Sequence, residues 1–172
     1  MKIMNQENKI SIYEKLMQQA INVASTSPCA PYGAIIVYKD AQIIAQSVNN
    51  TQENPLLHGE IAVLNSFFAQ DIKNLNFEHL SLYTTAEPCP MCISAIYWAK
   101  IPKIIYGTSI PFLHNLFGTQ INLRAKKILQ KIPNMYKYEI KGKVLEKNAM
   151  RFLSKLKICK KKLKSFDIPC LV

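Results

Sequence analysis

The segment spanning residues 80–107 constrains the fold more than any other part of the chain. Residues 80–84 (LSLYT) and 103–107 (KIIYG) are short apolar, β-branched runs, and each reads as a strand. Between them, residues 90–100 read as a helix opened by Pro90, in a first turn where the missing N–H costs nothing. If that helix is a crossover, the two strands lie parallel in one sheet and the helix covers one face of it.

The flanking sequence extends this arrangement. Ile10, Tyr13, Leu16, Met17, Ala20, Ile21 and Ala24 recur at helical spacing, and the pattern stops between Ser25 and Pro31. Residues 33–38 (GAIIVY) form a buried strand, Lys39-Asp40 a tight turn, and residues 41–48 a second strand, making a hairpin. A polar loop over 49–57 leads to a helix over 58–69, with Ile61, Leu64, Phe67 and Phe68 facing inward. Residues 108–120 are expected to be an irregular loop, 122–131 a helix and 135–140 a short fifth strand. Residues 144–162 read as a basic amphipathic helix with Leu145, Met150, Phe152, Leu153 and Leu156 inward. A hairpin followed by alternating helices and strands predicts a three-layer α/β/α sandwich around a central mixed five-stranded sheet. No repeat or linker divides the chain, so residues 1–172 are expected to be one domain with a basic helical extension from about residue 143.

Charge and cysteine content narrow the setting. The net charge is +11, from 22 Lys+Arg against 11 Asp+Glu, which permits contact with nucleic acid. Much of it sits in Lys147, Arg151, Lys155, Lys157, Lys160, Lys161, Lys162 and Lys164, a run that equally suits a solvated helix face. Cys29, Cys89, Cys92, Cys159 and Cys170 are odd in number, which argues against a disulfide framework. The first fifteen residues lack a continuous apolar core, and no stretch is long enough to span a bilayer. A soluble, cytoplasmic protein in a reducing compartment is expected, with no membrane partner.

Two motifs carry the chemistry: His58-Gly59-Glu60 and Pro88-Cys89-Pro90-Met91-Cys92. Alone, a Cys-x-x-Cys is equally redox-active or structural, and a His near a Glu is often a surface pair. Read jointly they fit the H-x-E…P-C-x-x-C pattern of zinc deaminases. Each motif lies where the chain enters a helix, so the cysteines feel the positive end of a helix dipole, which favours the thiolate. His58, Cys89 and Cys92 as three ligands leave the fourth zinc position to a water or hydroxide, one zinc per chain. Glu60 is then the proton shuttle. Glu87 is expected to be structural, capping backbone amides near a helix start.

With these motifs the sequence resembles the cytidine deaminase-like superfamily over roughly residues 10–130. The run LYTTAEPCPMCISAIYWA looks most similar to the guanine and nucleoside deaminase branch, as does Pro31-Tyr32-Gly33-Ala34-Ile35-Ile36-Val37. The resemblance implies that Asn49 hydrogen-bonds the substrate, that the backbone at Gly59 lines the pocket, and that the protein is a homodimer. Gly59 stands where alanine is more usual, a change expected to leave the metal untouched. The segment Phe117-Gly118-Thr119-Gln120 lacks the carboxylate with which guanine deaminases grip the free base. The related tRNA adenosine deaminases share both motifs, but differ in the Ile93-Ser94-Ala95 stretch and in the loop that follows. His114 is expected to reach over the pocket, because its loop follows the carboxyl end of a parallel strand. Tyr97 and Trp98 are expected in the core or at a dimer contact, and Cys29 as a small buried residue. The function expected is hydrolytic removal of an exocyclic amine from a purine base or nucleoside, of guanine or guanosine type. The alternatives are adenosine deamination in tRNA and a non-catalytic zinc-binding module.

Overall fold

The computed structural model describes residues 6–27, 30–118, 120–133 and 136–154, with the backbone alone over 6–11. Cys29, Cys159, Cys170, Thr119, Met135, Leu156 and the basic run from Lys155 onward lie outside the described residues, as does the side chain of Ile10.

Five strands form one mixed sheet: β1 (Gly33–Tyr38), β2 (Gln42–Val48), β3 (Leu80–Ala86), β4 (Lys103–Thr108) and β5 (Glu139–Lys141). Their order is β2-β1-β3-β4-β5. β1 pairs antiparallel with β2 and β3, whereas β3, β4 and β5 run parallel. The hairpin bulges between Ile36 and Val37, where the register passes from Ala45 to Ile43. The turn places Lys39 and Asp40 in the left-handed region, at φ 51° and 65°.

Alternation along the strands sorts side chains to two faces. Ala34, Ile36, Leu80, Leu82 and Ile104 point to one face and meet α2 (Gly59–Phe68), α3 (Pro90–Trp98) and α5 (Ala125–Leu129). Ile35, Val37, Tyr83 and Ile105 point to the other and meet α1 (Gln6–Ala24) and α6 (Glu146–Ser154). The layers are therefore helix, sheet, helix. α1 sits so close to β1 that a Cβ on Gly33 would fall 2.5 Å from the Ala20 carbonyl oxygen.

The structure departs from the sequence expectations at two places in these elements. The inward stripe of α2 is Glu60, Val63, Leu64 and Phe67, while Phe68 is exposed and Ile61 half-buried. Phe68 lies about 100° around the helix from Phe67, so both cannot face the sheet. Residues 108–120 are not an irregular loop: Ile110–Phe117 form helix α4, with Pro111 in the first turn and Gly118 as a left-handed C-cap at φ 74°. Tyr97 is buried, stacks on Tyr136 and donates its hydroxyl to the Pro133 carbonyl at 2.8 Å, but Trp98 is 74% exposed. Trp98 is thus no part of the monomer core.

Candidate active site

The site forms where α2 and α3 begin. His58 is the N-cap of α2 and Cys89 the N-cap of α3, both with extended backbone (ψ 157° and 170°). Neither side chain caps its own helix, so both turn outward into one cleft. Cys92 follows one turn into α3, on its buried side. Pro90 at the helix start removes a backbone donor that would otherwise need a partner.

The Cys89 and Cys92 sulfurs lie 3.5 Å apart, and Cys89 Sγ lies 3.6 Å from His58 Nδ1. The three ligand atoms all fall within 4.8 Å of one another. Tetrahedral zinc, with sulfur at about 2.3 Å and nitrogen at about 2.0 Å, separates its ligand atoms by roughly 3.6–3.8 Å. The Cys89–Cys92 and Cys89–His58 separations match that spacing.

The electrostatics of the cluster are coupled. Cys92 hydrogen-bonds Cys89 and, with His58 beside it, holds Cys89 down at about 4 against the opposing effect of burial. The same bond, together with burial, pushes Cys92 far above the ordinary thiol range. His58 is raised, chiefly by its bond to Cys89, against burial and with help from the Glu60 charge. Burial raises Glu60, and the Cys89 charge adds to this; its own backbone amide, the Thr84 hydroxyl and His58 pull the other way. A raised carboxyl beside a metal cluster is suited to taking a proton and returning it.

Glu60 is held by β3. Thr84 Oγ1 donates to Glu60 Oε1 at 2.8 Å. Thr84 shares the sheet face of Leu80 and Leu82, the face that α2 covers, so the strand's alternation carries it to Glu60. The sequence expectations omitted Thr84, although the period-2 pattern from Leu80 contained the signal.

The cleft is small, with about 360 Å³ of empty space once its open mouth is included. Beyond the cluster and Glu60, it is walled by Tyr32, Asn49, Ala86, Glu87 and Gln120. Asn49 is buried and its Oδ1 accepts from the Thr51 N–H at 2.9 Å.

The family whose description is "Cytidine and deoxycytidylate deaminase zinc-binding region" matches residues 10–108. The chain belongs to this deaminase family. The family's zinc-binding region and the His58, Cys89 and Cys92 cluster together support zinc as the metal. Over 101 residues this deaminase-family chain is 36% identical to the guanine deaminase of Bacillus subtilis (strain 168), covering 55% of this chain and 64% of that protein. Over 82 residues it is 40% identical to a tRNA-specific adenosine deaminase of Rickettsia bellii (strain RML369-C), covering 46% of this chain and 56% of that one. The chain thus spans less than two thirds of either relative. A structure solved in work on A-to-I editing by tRNA:A34 deaminases at the wobble position of transfer RNA aligns with a TM-score of 0.64 at 26% identity. That alignment covers 80% of this chain and 98% of that chain. Among the described residues, no helix is long and apolar enough to cross a membrane.

Close packing and hydrogen bonding define the surroundings of two residues expected near the substrate. At Gly59 a Cβ would lie 2.7 Å from the Tyr32 carbonyl oxygen, which also accepts the Asn49 N–H at 2.8 Å. A glycine is needed for this approach, so the exchange with alanine is not neutral here. His114 is not among the residues lining the cleft; its Nδ1 bonds the Gln120 carbonyl at 2.8 Å, and Gln120 lines the cleft instead. Placing His114 on helix α4 rather than on an open loop turns its ring toward that backbone.

Glu87 lines the cleft yet is committed elsewhere. Oε2 accepts the N–H of Ile110, the first residue of α4, at 2.9 Å, and Oε1 that of Ala125, the first residue of α5, at 3.0 Å. Arg124 Nε lies 2.8 Å from Oε1 and 2.7 Å from Oε2, and its Nη2 donates to the Tyr106 hydroxyl at 2.8 Å. The expected capping role is met at two helices distant in sequence, not at α3.

Proposed function

We propose that this chain is a zinc-dependent hydrolytic deaminase that removes an exocyclic amine from a purine base or nucleoside, of guanine or guanosine type, and releases ammonia. The observation that carries this reading is the triad of His58, Cys89 and Cys92 beside the buried, pKa-raised carboxyl of Glu60 in one small cleft. A non-catalytic metal module has no need of Glu60 at that position.

In this reading His58, Cys89 and Cys92 hold one zinc per chain. Zinc so held supplies Lewis acidity, which brings water ionisation near neutral pH. Glu60 takes one water proton and delivers it to a ring nitrogen as the water oxygen bonds the amine-bearing carbon. It then takes the proton of the new hydroxyl and gives it to the amine as the C–N bond breaks and ammonia leaves. Thr84 keeps the Glu60 carboxylate aimed during both transfers. Asn49 donates from Nδ2 to the ring, and the walls of the cleft exclude bulk water.

A second reading, adenosine deamination in tRNA, is favoured by the 40% identity to a tRNA-specific adenosine deaminase and by the net charge of +11. Ammonia release on incubation with guanine, guanosine, adenosine and cytosine, against total tRNA, separates the two. Release from free guanine or guanosine supports the first, and release from tRNA alone overturns it. The Glu60→Ala protein is expected to keep zinc and lose turnover; retained turnover removes Glu60 as the proton shuttle.

The remaining assignments belong to the same proposal. We read residues 1–172 as one domain in which α6 begins a basic extension, acting in the cytoplasm as a homodimer. Support for association comes from exposed Trp98, Leu56 and Phe68.

A further inference from the structure

The turn after α4 is built around one residue. The His114 carbonyl accepts the Gly118 N–H at 2.7 Å, and its ring Nδ1 meets the Gln120 carbonyl at 2.8 Å. A carbonyl only accepts, so Nδ1 carries the hydrogen. His114 therefore grips both sides of the turn and returns the chain to the cleft at Gln120.

Gln120 Oε1 accepts the Ile121 N–H at 3.1 Å. That backbone donor sets the orientation of the amide, so Nε2 is the group Gln120 offers outward. Asn49 repeats the arrangement, with Oδ1 engaged by Thr51 N–H and Nδ2 left to offer. The other acidic wall residue, Glu87, has both oxygens occupied by Arg124, Ile110 and Ala125. Two neutral amide side chains from different segments, Asn49 and Gln120, thus line one cleft, each with its oxygen engaged by a backbone N–H.

We infer that Gln120, positioned by His114, reads the substrate ring by donating from Nε2 to a ring acceptor, so that the cleft selects heterocycles presenting one acceptor to Asn49 and another to Gln120. The inference rests on the deaminase reading and specifies the chemistry of its substrate. A ring whose recognised edge is made of N–H groups leaves both amides facing donors, and is disfavoured.

The test is a coupling measurement on the zinc-loaded protein. Guanine and adenine, each with its 3-deaza and 7-deaza analogue, are titrated calorimetrically into wild type, Gln120→Ala, His114→Leu and His114→Asn, while ammonia release is followed separately. In wild type, one deaza replacement is expected to weaken binding about tenfold, the worth of one hydrogen bond whose partner is left unpaired. In Gln120→Ala that same replacement costs less than twofold, because the donor is already gone. His114→Leu behaves like Gln120→Ala, whereas His114→Asn, whose amide nitrogen can stand where Nδ1 stood, recovers most of the discrimination. Zinc content and melting temperature stay at wild-type values in Gln120→Ala. A deaza penalty of equal size in wild type and Gln120→Ala overturns the inference, as does failure of every ring to bind. Binding with the coupling intact but no ammonia released removes the deaminase reading and leaves this one standing; ammonia release with no coupling does the reverse.

Discussion

Arg124 Nε lies 2.7 Å from a carboxylate oxygen of Glu87, a side chain only 1% exposed and two residues before Cys89. This pair joins the metal-ligand loop to α4 and α5, because the same carboxylate takes the first N–H of each helix. The far wall of the cleft and the cysteine ligands are therefore tied through one residue.

Glu87→Ala strips an acceptor from two helix starts and from Arg124 together. Unpaired buried donors cost about 1–3 kcal/mol each. A loss of about 3 kcal/mol is expected, read as a melting temperature about 6–12 °C lower. Arg124→Ala is expected to cost about 1 kcal/mol, since its side chain is 41% exposed and the two backbone donors remain on Glu87. Calorimetric melting of both variants checks the order; equal losses contradict it.

Thr84→Val removes the hydroxyl from Glu60 while keeping the shape of the side chain. Turnover should fall about tenfold with zinc content unchanged, because a proton-transfer group loses its alignment. Metal analysis and steady-state rates on the same preparation test this, and zinc loss in place of rate loss counts against it.

Zinc affinity should fall as pH falls. Cys89 sits at about 4 and is already a thiolate at neutral pH, whereas Cys92 and His58 are both raised and must surrender protons before they bind metal. Protonation of the ligands competes with the metal, so lower pH favours release. Chelator competition at pH 6 and pH 8 should show weaker binding at pH 6, and zinc added to stripped protein in weak buffer should acidify the solution.

Gly59→Ala is expected to destabilise by about 1–3 kcal/mol, the usual cost of overpacking. Its Cβ would press on the Tyr32 carbonyl, which is hydrogen-bonded to Asn49 and cannot swing aside freely. The neighbouring His58 should shift with it, so zinc retention during dialysis is the second readout. A variant with unchanged melting and metal content shows that the backbone relaxes there.

Much of the architecture was legible in local pattern. The hairpin, the crossover between β3 and β4 and the inward stripe of α1 follow from periods of 2 and 3.6. The metal cluster was legible because its ligands fall at helix starts marked by a polar loop and by Pro90. α4 is not legible locally because its first N–H is satisfied by Glu87, 23 residues earlier, an arrangement that no local window contains. Chain order alone puts His114 near the cleft, whereas the hydrogen bond of its ring to the Gln120 carbonyl depends on how the turn after α4 folds.

The sequence by itself determined which side chains could bind a metal and which helices carry them, since residue type and spacing decide ligand chemistry. Only the tertiary structure decided what surrounds them: Thr84 on Glu60, Arg124 on Glu87, Tyr32 against Gly59, and Gln120 rather than His114 in the cleft wall. The physical reason is that ligand donor sets are local in the chain, whereas hydrogen-bond satisfaction and close packing are settled between segments that meet only when the sheet has formed.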